Sequence, residues 1–211
     1  MIRFDLSKYR RPGDTFFECG TGGGDGIRAA LEAGFERIIS VELHQPRADA
    51  AKHRFRFDIA DGRVTVVEGM SCDVMGGFLS TDPGRVVWWL DAHVDHPGLP
   101  NALMSCPLLG ELELLAVHHR QGDTILVDDR RLFGGKGWGK CVTEEAVRAA
   151  LAKIAWPRWI GTEDNYVPDD VLVYDGGPET RHHPDCGTQY RGCHPTKCPK
   201  DQAERRGGID A

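Results

Sequence analysis

A chain of 211 residues suits one domain, long enough to bury a core and to build a sheet covered on both faces. Its 40% hydrophobic and 27% charged residues are ordinary for a globular protein, and no apolar run reaches the roughly 18 residues that a membrane-crossing helix needs. A net charge of −6 argues against an extended nucleic-acid surface, and the opening MIRFDLSKYRRPGD lacks the apolar core of a signal peptide, which points to the cytoplasm.

The first 14 residues lead to a turn at Arg10-Arg11-Pro12-Gly13-Asp14. Thr15-Phe16-Phe17 then opens a strand that runs into Glu18-Cys19-Gly20-Thr21-Gly22-Gly23-Gly24. The spacing predicts a helix over residues 27–33, with Asp25 as its cap and Gly34 as its stop. Strand, glycine turn and helix in succession let backbone N–H groups approach a polar ligand closely. A second strand, Arg37–Glu42, puts the Glu42 carboxylate about 20 residues after the turn, where nucleotide-binding folds hold ribose hydroxyls. This unit is read as a βαβ grip for an adenosine-containing cofactor.

Pro46 suits the first turn of a helix reaching about residue 58, and Asp61-Gly62 is a turn. Residues 64–67 form a β-branched third strand closed by Gly69-Met70-Ser71, and a short helix is expected over 73–79. Asp82-Pro83-Gly84 breaks the chain before a fourth strand, 86–91, apolar enough to be buried on both faces. A Pro-, Gly- and His-rich loop spans 93–105, after which Leu108, Leu109, Leu112, Leu115 and Ala116 recur at helical spacing. The fifth strand, Thr124–Val127, ends in Asp128-Asp129. A loop with four glycines covers 132–140, and a helix capped by Thr143 runs to 155. Residues 156–161 and 170–174 are expected as a final, antiparallel strand pair.

Five β–α alternations imply an α/β fold with a doubly wound, mostly parallel sheet, whose ligands sit at the carboxyl ends of the strands. The polar clusters fall there: Glu18 to Gly24, Glu42, Met70-Ser71, Asp91 to His93, and Asp128-Asp129. The domain is expected over 1–177. Residues 178–211 carry prolines, histidines and cysteines without apolar periodicity and read as a tail. Cys186, Cys193, His194 and Cys198 have the residue types for a structural Zn²⁺, though no C-x-x-C pair occurs. Seven unevenly spaced cysteines do not suggest a disulfide framework.

Glu18-x-Gly20-x-Gly22-x-Gly24 matches the E-x-G-x-G-x-G motif of class I S-adenosylmethionine-dependent methyltransferases. A nicotinamide frame over Gly24, Gly26 and Ala29 starts too late and leaves Glu18 without a role. The blocks Leu90-Asp91-Ala92-His93, Cys106-Pro107-Leu108-Leu109-Gly110-Glu111-Leu112 and Ile125-Leu126-Val127-Asp128-Asp129-Arg130-Arg131-Leu132-Phe133 resemble, in this order, a family of small bacterial methyltransferases. The resemblance covers about residues 15–175 and implies the class I fold and an S-adenosylmethionine donor held by Glu18, Gly20, Thr21, Gly22, Gly24, Glu42, Ser71 and Asp91. In that frame Glu18 faces the methionine ammonium. Where the family has G-D-S-S after the third strand this chain has Gly69-Met70-Ser71-Cys72, so the aspartate that would meet the adenine amino group is missing and Ser71 remains.

Asp91, Asp128 and Asp129 resemble the acidic set of catechol-type O-methyltransferases, and hard oxygen ligands on adjacent strand ends suit Mg²⁺. His93 is a candidate general base, with Asp91 beside it, for a hydroxyl acceptor such as a sugar or polyol. His96 is a weaker candidate. His118-His119 reads as structural at a helix end, Trp88 and Trp89 as core, and Trp138 as a platform for the acceptor. The expected activity is methyl transfer to a small molecule, with self-association open. Two rivals are an NAD(P)-linked oxidoreductase and a non-catalytic binding module docking through its tail.

Overall fold

The structure, a computed structural model, describes residues 2–81, 83–93, 106–120, 122–154 and 160–176. Among the described residues seven strands form one sheet: β1 (Thr15–Cys19), β2 (Arg37–Glu42), β3 (Val64–Glu68), β4 (Val86–Leu90), β5 (Thr124–Val127), β6 (Ile160–Glu163) and β7 (Val171–Asp175). Their order is β3-β2-β1-β4-β5-β7-β6. The first five are parallel, and β7 runs antiparallel to both β5 and β6. The doubly wound sheet and the closing antiparallel pair are thus as the sequence led us to expect. The helices are α1 (Asp25–Glu32), α2 (Gln45–Arg54), α3 (Arg56–Ala60), α4 (Ser71–Leu79), α5 (Leu108–Val117) and α6 (Glu144–Lys153). No helix among the described residues is long and apolar enough to cross a membrane.

Strand side chains alternate between faces, so neighbouring residues enter opposite cores. Phe17, Trp88, Ile125 and Leu172 pack under α4, α5 and α6 with Met75, Leu112, Leu115 and Leu151. Phe16, Trp89, Leu126 and Val173 pack under α1 and α2 with Ile27, Ala30, Ala48 and Ala51. Trp88 and Trp89 are fully buried, one in each layer. Each indole removes about 200 Å² from water, worth about 5 kcal/mol. The 3₁₀ turn Leu6–Tyr9 adds Leu6 and Tyr9 to the second core.

The amino ends of the central strands are tied by ion pairs. Arg85 reaches Asp14, lies 3.7 Å from Asp175, and donates to Thr124 Oγ1 at 2.7 Å. Asp123 accepts from Arg120 Nε at 2.7 Å, from Trp88 Nε1 at 2.7 Å and from the Val86 N–H at 3.0 Å.

Several local expectations need correction. Asp25 is not the cap of α1: Gly24 takes that place with φ +81°, and Asp25 is the first helical residue, paired with Arg28 Nη2 at 2.8 Å. A Cβ on Gly24 would lie 2.5 Å from the Phe55 ring, so only glycine turns here. The helix expected to reach residue 58 breaks at Phe55, whose buried ring sits against Gly24 and separates α2 from α3. The α4 helix begins at Ser71 rather than at residue 73, and β4 stops at Leu90, leaving Asp91 just beyond it. Thr143 does cap α6, its Oγ1 accepting from the Ala146 N–H at 3.1 Å. The sixth strand is described from Ile160 and runs to Glu163, past the expected end at residue 161. The 3₁₀ turn Gly137–Cys141 begins in the 132–140 loop and ends just past it. His96, most of the 93–105 loop, residues 155–159 and the tail with Cys186, Cys193, His194 and Cys198 lie outside the described residues. Cys19, Cys72, Cys106 and Cys141 form no disulfide.

Candidate functional site

A cavity of about 250 Å³ opens at the carboxyl ends of β1 to β4, lined by Glu18, the Gly20–Gly23 turn (residues 20–23), Glu42, Met70, Ser71, Asp91 and His93. The turn is stitched to β2, since the Gly20 and Thr21 N–H groups donate to the Val41 carbonyl at 2.9 and 3.1 Å. Gly20 has φ +92°, and a Cβ there would sit 2.3 Å from the Asp91 carbonyl oxygen. Close packing of two strand ends therefore demands glycine. Around Gly22 the space is open, so its backbone faces whatever fills the cavity.

Glu18 is buried beneath this turn. Ser40 donates to its carboxylate, and Ser40 is in turn 2.6 Å from the Thr21 hydroxyl. A Cβ on Gly26 would overlap Glu18 Oε1, so the first turn of α1 is open only because Gly26 has no side chain. Burial pushes the Glu18 carboxyl up to about 8; the Ser40 bond opposes this, and the charges of Asp91 and Glu42 add to it. Glu42 accepts from the Gly22 N–H at 3.0 Å and the His44 N–H at 2.9 Å. A carboxylate has about four acceptor positions, so these two bonds orient it and leave capacity for hydroxyl groups.

Further along the strand ends, His93 Nε2 lies 3.0 Å from Asp129 Oδ2 and 3.5 Å from Asp91 Oδ1. Its ring stacks on Trp138, with centroids 4.0 Å apart and planes 33° apart. Trp138, expected as a platform for the acceptor, is buried and braces the imidazole instead. Burial pulls the His93 imidazole down, but the Asp129 hydrogen bond and the charge of Asp91 outweigh it and leave it above the usual value. Burial pushes Asp91 up to about 7, with His93 opposing and Asp128 and Asp129 adding. Asp129 goes the other way: burial is outweighed by His93 and Arg131, and it stays below the usual carboxylate value.

Asp128 and Asp129 are adjacent in sequence yet serve different neighbours. Asp129 has φ +59°, a left-handed backbone uncommon for a residue with a side chain. Asp128 is buried and accepts from Asn165 Nδ2 at 2.9 Å, while Asp129 Oδ1 pairs with Arg131 Nη1 at 2.5 Å. The three aspartates expected to share a Mg²⁺ fall into two overlapping groups, with Asp129 common to both. Among the described residues, Asp91 groups with His93 and Asp129, and Asp128 groups with Asp129 and Asp170. Arg131 already spans Asp129 and Asp170.

Of the residues expected to hold a donor, Glu18, Gly20, Gly22, Glu42, Ser71 and Asp91 line the cavity. Thr21 also lines it but turns its hydroxyl to Ser40, and Gly24 shapes the helix start. Sequence reasoning missed Ser40 and Asn165, met Gly26 only in the nicotinamide frame, and met Glu111 only within the Cys106–Leu112 block. Ser40 did leave a signal, as the lone hydroxyl in the apolar run Arg37–Glu42.

No family profile matches this sequence, and no curated protein matches it. Solved structures do resemble it. A Podospora anserina methyltransferase with bound S-adenosylhomocysteine superposes with a TM-score of 0.50 at 17% identity, over 77% of this chain and 71% of that one. The fold is that of S-adenosylmethionine-dependent methyltransferases. A provisionally assigned methyltransferase from Streptococcus mutans, also with bound S-adenosylhomocysteine, gives 0.51 at 8% identity over 82% of this chain and 97% of its own. A provisionally assigned rRNA-methylase from Clostridium thermocellum gives 0.52 at 14% identity over 80% and 90%. At these identities the likeness is one of methyltransferase fold.

Proposed function

We propose that the chain is an S-adenosylmethionine-dependent methyltransferase acting on a hydroxyl group of a small molecule such as a sugar or polyol. The observation that carries this reading is the pairing, in one cavity, of a glycine turn backed by Glu18 and Glu42 with an imidazole held between two carboxylates. The residues fit the donor. Among the described residues Glu18 has no cationic partner, so its buried carboxyl suits the donor's ammonium. Glu42 keeps acceptor capacity for the ribose, and Gly20 and Gly22 allow close backbone approach. When bound, the donor supplies an electrophilic methyl group on a sulfonium.

The chain's own work is to align and to move one proton. With Nε2–H donated to Asp129, His93 carries its free lone pair on Nδ1, where it takes the proton of the acceptor hydroxyl. Asp129 and Trp138 hold the ring, and Asp91 favours the imidazolium that forms. Positioning two reactants supplies most of the acceleration in such a site. The oxidoreductase alternative has less support, because Gly26 and Ala29 of its frame lie within α1.

A metal-assisted variant would draw on Asp91, Asp128 and Asp129; with His93 and Arg131 each already engaging Asp129, we expect turnover without added cation. Titration calorimetry with S-adenosylhomocysteine tests the donor, and a screen of hydroxylated acceptors with and without EDTA tests the chemistry. Micromolar binding with EDTA-resistant turnover is the expected result. No binding would overturn the donor assignment, and turnover lost in EDTA with binding retained would transfer the role of activating the hydroxyl to Mg²⁺.

A further inference from the structure

The net charge of −6 is not spread evenly over the chain. Residues 43–57, LHQPRADAAKHRFRF, hold Arg47, Lys52, Arg54 and Arg56 against the single carboxylate of Asp49, so this stretch is basic and the rest of the chain carries the acidic excess. In the fold it comprises the turn after β2, helix α2 and the start of α3. The neighbouring carboxylates are taken: Asp25 by Arg28, Asp49 by Lys52 and Asp58 by Arg63. Arg47, Arg54 and Arg56 are left without an ion pair among the described residues. Arg54 donates to the Gly23 carbonyl, and Arg56 Nη1 to the His53 carbonyl at 3.2 Å. Such bonds orient a guanidinium without neutralising it.

The three arginines follow a line. Arg47 and Arg54 are seven residues apart on α2, which puts them on one side of the helix about 10 Å from each other. Leu43 and Arg47 lie in the cavity wall, and Arg54 meets the glycine turn, so the row starts at the cavity rim and leads to α3. At its far end stands Phe57, 69% exposed, the most exposed large apolar side chain among the described residues. The Arg56 guanidinium stacks on the Phe57 ring, 4.3 Å from its centroid, and the rest of the ring meets solvent. A lone exposed apolar residue carries little meaning, but an open ring at the end of a row of unneutralised arginines is a specific chemical pattern.

The charge needs a polyanion from outside the chain. Residues 178–211 hold six basic and five acidic residues, and residues 94–105 a single acid, so neither segment complements the row. A lipid surface would require large apolar residues on α2, and QPRADAAKHR has none. An acidic peptide would pair with the arginines and leave the ring unused. We propose that residues 43–57 form a binding surface for single-stranded nucleic acid, with phosphates on Arg47, Arg54 and Arg56 and one unpaired base stacked on Phe57. Guanidinium groups bind phosphate oxygens in pairs, and an aromatic face takes any base that is free of a duplex stack. The surface goes beyond methyl transfer to a small acceptor and does not depend on it.

Fluorescence anisotropy with labelled oligouridylate and oligothymidylate of about 12 nucleotides tests the proposal on the full-length protein, Phe57→Ala, Phe57→Leu and Arg56→Gln. The substituted side chains are exposed, so the fold should persist, and S-adenosylhomocysteine calorimetry on the same samples should be unchanged. The wild type should bind with a log–log salt slope of about −2, as three phosphate contacts require, and Arg56→Gln should reduce that slope by about 0.7. Phe57→Ala should weaken binding by about tenfold, and Phe57→Leu nearly as much, because leucine keeps apolar area but offers no π-face. No binding at about 100 µM protein overturns the proposal, and so does affinity undiminished in Phe57→Ala. Tighter binding to phosphatidylserine vesicles or to polyglutamate would also overturn it and pass the surface to a membrane or an acidic protein. A wild type that binds the oligonucleotides but not S-adenosylhomocysteine would uphold this surface and overturn the donor reading alone.

Discussion

The two ends of the central strands are built on opposite principles. At the amino ends, Asp14, Asp123 and Asp175 are buried, and each has an arginine: Arg85 serves Asp14 and Asp175, and Arg120 serves Asp123. At the carboxyl ends, Glu18 and Glu111 are just as buried, and neither forms an ion pair among the described residues. His93 and Arg131 must serve Asp91, Asp129 and Asp170 between them. Burial pushes Asp123 up as well, yet Arg120 and Trp88 hold its oxygens in place. The contrast teaches where stability is gathered and where it is withheld: one end is locked by arginines, and the other keeps buried carboxyls that no arginine reaches, which on the proposed reading await a ligand.

Removing the lock should do most damage. Arg85→Met strips two buried carboxylates of their cation and is expected to cost about 3–5 kcal/mol in urea unfolding, with donor affinity of the folded protein unchanged. His93→Gln should lower kcat by about 10²–10³ while leaving S-adenosylhomocysteine binding intact, as a general base alone would require. Glu18→Gln should weaken that binding by about a hundredfold yet leave the melting midpoint at pH 8 equal or higher, since it removes a buried ionisable group. A Glu18→Gln protein that unfolds as readily as Arg85→Met would erase the contrast between the ends.

The mildest perturbation is pH. Glu18 at about 8 and Asp91 at about 7 bind protons in the folded state that they would release when unfolded. Their stabilisation is complete below the ordinary carboxylate range and is lost as pH rises through the folded values, so apo stability should fall between about pH 5 and pH 8. His93, raised by its carboxylates, contributes in the same direction. Donor affinity should rise over that window, because only the ionised Glu18 pairs with an ammonium. Calorimetry in buffers of different ionisation enthalpy would register the proton that Glu18 gives up; affinity independent of pH would remove Glu18 from the ammonium site.

Much of the fold was legible because its strands are short apolar runs with sharp ends. Arg37–Glu42 and Thr124–Val127 were read to the residue, and the polar groups at their ends marked the cavity. Boundaries slipped where tertiary contacts override local preference, as at Phe55, whose ring is claimed by Gly24, and at Asp25, where the glycine turns first. Glu18, Glu42 and His93 were singled out because they lie in the last two residues of a strand or just beyond one. Ser40 and Gly26 were not singled out, because the residue that both meet, Glu18, lies on another strand. Asp128-Asp129 could be read as a pair but not resolved into partners: the contacts that engage Asp128 with Asn165 and Asp129 with His93 and Arg131 lie far away in sequence.

The insertion of β7 between β5 and β6 also bears on how the chain is made. β6 leaves the ribosome before β7, but it has no neighbour in the sheet until β7 arrives. Until residue 175 has emerged, β5 exposes a bare edge of unpaired N–H and C=O groups, open to pairing with another nascent chain. A synthesis that pauses near residue 165 would therefore hold the molecule at its most aggregation-prone point, and one that proceeds through β7 seals that edge in a single step.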